Sequence, residues 1–87
     1  MSQLIEETIE ALLSQARDGE SISPNDVAKV LNPDGWRREL PKIRAVVVGL
    51  TRRGRLEMLR KGRPTEPEEV RGVYRIRKPA PGADAGR

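Results

Sequence analysis

Three stretches of helical apolar spacing, followed by two short alternating segments, predict an α+β fold for this 87-residue chain. Two observations carry that expectation. Apolar residues recur at helical intervals up to Gly54, and each run is closed by Gly or by an Asn-Pro-Asp-Gly turn. Beyond Gly54 the pattern changes to period-two alternation around a polar loop rich in Pro and Glu. A third observation concerns charge. Residues 36–63 hold ten Lys/Arg against Glu39 and Glu57, a net of +8, whereas residues 1–35 are net −5.

The first helix is expected over roughly residues 2–18. Ser2 serves as N-cap, Glu6 and Glu7 suit the positive end of the macrodipole, and Ile5, Ile9, Leu12, Leu13 and Ala16 form one stripe. Gly19 ends it. Glu20-Ser21-Ile22 allows only a stub of strand. Ser23 and Pro24 open the second helix as N-cap and first helical residue, with Asp26 completing a weak capping-box variant. Val27, Ala28, Val30 and Leu31 supply its inner face, and Asn32-Pro33-Asp34-Gly35 turns the chain.

Trp36 to Leu40 is read as a single helical turn, with Pro41 starting a third helix that runs to Arg53. At ~100° per residue, Ile43, Val46, Val47 and Leu50 share the core side. Pro41, Ala45, Val48 and Arg52 face away, flanked by Arg44 and Gly49. From Arg55 to Lys61, Leu56 and Met58 alternate with Glu57 and Leu59. Residues 62–72 form a polar loop, and residues 72–78 a second strand on which Tyr74 and Ile76 share a face. Helix, stub, helix, helix and antiparallel hairpin is the order of a winged helix-turn-helix, three helices followed by a two-stranded wing. Residues 1–78 are that domain, and the Pro/Gly/Ala-rich residues 79–87 are expected to be a disordered tail.

Composition narrows the function. The chain has no Cys and no His, so disulfides and thiolate or imidazole metal sites are excluded, and no cofactor is expected. It has no apolar run of membrane-spanning length, and its N-terminal region is acidic where a signal peptide is basic, which predicts a cytoplasmic protein. The basic helix has Val and Ile opposite its charges, consistent with a protein core rather than a membrane surface. No inward carboxylate pair, Gly-rich phosphate loop or nucleophile motif is present, so no enzyme is expected.

Several motifs run through the chain: Ser-Ile-Ser-Pro (21–24), Val-Ala-Lys-Val-Leu (27–31), Gly-Trp-Arg-Arg-Glu-Leu-Pro (35–41), Ile43-Arg44 and Gly54-Arg55-Leu56. Arg-Lys-Gly-Arg-Pro (60–64) and Arg-Gly-Val-Tyr-Arg-Ile-Arg (71–77) follow. This set resembles a bacterial winged-helix family catalogued as a domain of unknown function, over roughly residues 4–78. The resemblance implies the winged-helix fold and no activity. Leu40 stands where similar chains often carry Met.

Arg37, Arg38, Lys42, Arg44, Arg52 and Arg53 are the candidate phosphate contacts of the third helix, and Arg60, Lys61 and Arg63 those of the wing root. The plain alternative is a solvated basic face. Ala45, Val48 and Gly49 offer base edges no hydrogen bond, so the helix suits backbone gripping better than base reading. Gly49 fits close approach to a phosphate backbone or partner helix, or close packing inside the domain. Trp36 either stacks on a base or plugs the gap between the second and third helices. Glu66, Glu68 and Glu69 in the wing loop repel phosphate or pair with Arg71 or Arg63. The leading expectation is therefore a non-catalytic module binding duplex nucleic acid, DNA first and RNA as the other polyanion, as a transcriptional regulator does. The competing expectation is a protein-interaction module or homodimer using the Ala45/Val48/Gly49 face.

Overall fold

The computed structural model describes residues 2–79. The tail expected to be disordered lies outside the described residues except for Pro79, as does the Ser2 side chain read as an N-cap. The elements are α1 (Ser2–Gln15), α2 (Pro24–Leu31), α3 (Trp36–Arg52), β1 (Glu57–Arg60), β2 (Arg63–Pro64), a 3-10 turn at Pro67–Glu69, and β3 (Arg75–Arg77). This is an α+β fold of three helices followed by a three-stranded antiparallel sheet of order β2-β1-β3, an arrangement compatible with a winged helix. Ile22, the stub before α2, bridges antiparallel to Ile76 and extends the sheet past β3.

α1 ends at Gln15, short of the roughly 2–18 expected. The Arg17 N–H donates to Glu20 Oε1 at 2.8 Å and the Glu20 N–H to Arg17 O at 2.9 Å. This local turn, with Gly19 at φ 82°, competes successfully with helix extension. α2 begins as expected. Ser23 Oγ accepts from the Asp26 N–H and Asp26 Oδ2 accepts from the Ser23 N–H, both at 3.1 Å, so the capping box is complete. Val30 departs from the expected inner face. It is exposed, because the short α2 turns only Val27, Ala28 and part of Leu31 inward.

The third helix is one piece. The single turn expected at Trp36–Leu40 and the helix expected to start at Pro41 are continuous from Trp36 to Arg52. Pro41 removes one N–H donor near the start of the helix, and its ring lies on the exposed side. Trp36 and Leu40 pack against the core and hold the turns on either side in line. The Asn32 side chain closes the preceding turn by accepting from the Gly35 N–H at 3.1 Å.

Beyond α3 the expected two-stranded hairpin gains a third strand. Arg60 pairs with Arg63 across Lys61 (φ 55°) and Gly62 (φ 80°), so β1 and β2 are joined by a tight turn of type I′ character. The loop expected at residues 62–72 therefore contains a short strand, a 3-10 turn and the buried anchors Pro67 and Val70. Leu59, expected on the polar face with Glu57, is buried outside the main cluster. That cluster joins Ile5, Ile9 and Leu13 of α1 to Ile43, Val47 and Leu50 of α3, with Met58, Tyr74 and Ile76 from the strand side. It is almost wholly aliphatic, and burial of these side chains is what orients α3.

Candidate nucleic-acid interface

The +8 segment does not present all its charge to solvent. Arg55, at the entry to β1, ion-pairs with Glu6 at 3.3 Å and with Glu10, clamping the strand onto α1. Arg44 is half-buried and directs Nη2 to Val70 O at 2.7 Å, while its guanidinium carbon lies 5.6 Å from the Tyr74 ring centre. Arg60 Nη1 donates to Val73 O at 2.7 Å. Arg52 Nη2 meets Glu68 Oε2 at 2.8 Å. Three of the nine candidate contacts, Arg44, Arg52 and Arg60, thus have internal partners. The pairing of the loop acids differs as well: Glu68 takes Arg52, neither Arg71 nor Arg63.

The remaining six fall into groups. Arg37, Arg38 and Lys42 are exposed on the N-terminal half of α3. Arg37 lies over the half-buried Trp36, 4.5 Å from its ring centre, and Lys29 of α2 lies 5.0 Å from the same ring. These distances suit cation–π attraction, which holds both cations beside one end of α3. Lys29 was not legible as part of this group, because its placement depends on how α2 meets Trp36. Arg53 stands at the C-terminal end of α3, on the wall of an open cleft of about 560 Å³ shared with Gly54, Pro64 and Glu66. Lys61 and Arg63 flank the β1–β2 turn, exposed. Among the described residues no hydrogen bond or ion pair engages the side chains of Arg38, Lys42, Arg53, Lys61 or Arg63.

The outward face of α3 is narrower than its angular plot suggests. Val48 is half-buried and packs against the core cluster, while Pro41 and Ala45 are exposed. A Cβ added at Gly49 meets nothing within 4 Å, so intradomain packing does not require that glycine. Trp36 joins the core cluster with two cations near its ring, the placement of a plug between α2 and α3.

Electrostatics distinguish the two halves of α3. Its N-terminal half carries Arg37, Arg38 and Lys42 with one acid, Glu39, which accepts from Asn32 Nδ2 at 3.4 Å. Its C-terminal half faces the segment bearing Glu66, Glu68 and Glu69. The Glu68 carboxyl is held below the ordinary range by its own backbone N–H and then by the Arg52 hydrogen bond, so it stays ionised. Tyr74 is shifted the other way: burial raises its phenol, and nearby Arg44 only partly offsets that. Among the described residues no cluster of acids could hold a metal ion, and no helix is long and apolar enough to cross a membrane.

A family model described as "Protein of unknown function (DUF3253)" matches residues 2–79, the full described span. No curated protein matches the chain in sequence.

Proposed function

The chain belongs to this family, and we propose from its site that it is a non-catalytic winged-helix module that grips duplex nucleic acid, DNA first, through phosphates. The observation that carries this reading is the clustering within residues 36–63 of exposed cations that have no side-chain hydrogen bond, ion pair or ring contact among the described residues: Arg38, Lys42, Arg53, Lys61 and Arg63; Arg17, Arg71 and Lys78 are likewise exposed and unpaired but lie outside that segment. A structural arginine finds a carbonyl or carboxylate, as Arg44, Arg55 and Arg60 do. The five unpartnered cations keep their full charge available to a polyanion.

The winged-helix assignment is supported by strand order. Ile22, preceding α2, pairs with β3, and β3 pairs with β1, so the stub, the post-α3 strand and the returning strand share one sheet. In that arrangement α3 is the recognition helix and the β1–β2 turn is the wing root. With Pro41 and Ala45 outward, α3 offers little hydrogen bonding to base edges, which favours backbone contact and weak sequence discrimination.

The test is fluorescence anisotropy of a random-sequence DNA duplex against a salt series. Binding that weakens with salt, and weakens further in Arg38→Gln/Lys42→Gln, supports the reading. Absence of binding at low salt, or full binding by that double variant, sinks it. A protein partner seated on Ala45 would instead survive high salt and be lost in Ala45→Glu.

A further inference from the structure

Residues 66–70 lie along the C-terminal half of α3, and their anchorage there is multiple. Val70 and Pro67 are buried, Val70 O accepts from Arg44, and Glu68 pairs with Arg52. The Thr65 N–H donates to Met58 O at 2.9 Å and fixes where the segment leaves the sheet. This geometry sets Glu68 against Arg52 and puts Glu66 on the same cleft as Arg52 and Arg53 at the C-terminal end of α3. Glu66 and Glu68 thus offset charge at that end of the helix, Glu68 directly through Arg52.

We infer that residues 66–70 form an internal strap that imitates phosphate, occupying the C-terminal half of α3 and confining nucleic acid to its N-terminal half and the β1–β2 turn. The inference rests on the nucleic-acid reading above and deepens it. The apolar anchors keep the strap in place whether or not its acids are charged. The Arg52–Glu68 contact is different in kind. Its side chains are 59% and 61% exposed, so it is a solvent-screened pair that a phosphate can contest. The strap therefore limits affinity by competition for Arg52 and by repulsion from Glu66 and Glu69, without closing the site.

The experiment compares the full chain with Glu66→Gln/Glu68→Gln/Glu69→Gln on the same random duplex across the same salt series. These substitutions retain side-chain size and leave Pro67, Val70 and Arg44 untouched. The triple variant is expected to bind several-fold tighter, with a salt slope steeper by about one unit as Arg52 takes up a phosphate. Adding Arg52→Gln to the triple variant is expected to return the slope to its starting value. Unchanged affinity and slope in the triple variant, with Arg38→Gln/Lys42→Gln still weakening binding, overturn the strap while leaving the nucleic-acid reading intact. Tighter binding that Arg52→Gln fails to reverse assigns the gain to net charge alone and also overturns it. No binding by either protein overturns both.

Discussion

Arg44 and Gly49 are both helical residues flanking the outward side of α3, yet the fold uses them in opposite ways. Arg44 spends its guanidinium on Val70 O and the Tyr74 ring, so it holds the 67–70 segment to the helix. Arg44→Met is expected to cost about 1–2 kcal/mol, the range for losing a charged hydrogen bond and leaving a carbonyl without it. Urea unfolding checks the loss. On the nucleic-acid reading, duplex affinity of the folded fraction should stay within about twofold, because Val70 O and the Tyr74 ring already engage the Arg44 guanidinium. Gly49 has room for a methyl group and helical neighbours on both sides. Gly49→Ala is therefore expected to stabilise the chain by about 1 kcal/mol, the propensity difference in a helix interior. If the mutant gains stability and loses duplex affinity, the glycine is kept for an approaching partner; if it gains both, it is not.

Among the elements, the β1–β2 turn carries the clearest conflict between local stability and charge. Lys61 occupies the left-handed region at φ 55°, where a non-glycine side chain costs roughly 1 kcal/mol and Asn or Gly is preferred. Lys61→Asn should raise the unfolding midpoint and reduce the salt slope of duplex binding by about 0.9 if Lys61 meets a phosphate. A rise in stability with no change in slope would remove Lys61 from the interface. The strap makes a matching prediction in pH. The Glu68 carboxyl sits below its ordinary range in the folded chain, so its contribution is present above that range and is lost as pH falls through it. An NMR titration of the Glu68 carboxyl should therefore have its midpoint below that of a free glutamate, and Arg52→Gln should move it back upward, while amide protection factors at residues 68–70, held by the apolar anchors, stay unchanged. These elements also show where sequence reading stops. The stripes of α1 and α3, the capping box at Ser23 and the β1–β3 pairing were legible because each is set by local spacing or capping chemistry. The continuity of α3 through Pro41 was not, since tertiary packing of Trp36 and Leu40 overrides the proline boundary. β2 was hidden because Lys61-Gly62 lacks the usual Asn-Gly signal. The nine candidate cations could be read from the sequence and Lys29 could not, and which of them are consumed internally depends on contacts 13 to 49 residues apart in sequence.

At the scale of the whole molecule, folding divides the basic segment into paired and unpaired charge. Arg44, Arg52, Arg55 and Arg60 hold separate parts of the chain together through Val70, Glu68, the two α1 glutamates and Val73. Arg37, Arg38, Lys42, Arg53, Lys61 and Arg63 are exposed and have no side-chain hydrogen bond or ion pair among the described residues. Counterion release makes this partition measurable. Each B-DNA phosphate neutralised contributes about 0.9 to the slope of log affinity against log salt, so these six cations together supply a magnitude of about 5 at most. A slope near or below that magnitude requires no internal pair to open. A steeper slope means that further cations join in, either exposed ones outside the segment such as Lys29, Arg71 and Lys78, or a structural arginine that leaves its partner on binding. Amide exchange on the complex separates the two cases. Intact internal pairs leave protection at residues 68–70 and at the α1–β1 clamp unchanged, whereas rearrangement lowers protection there.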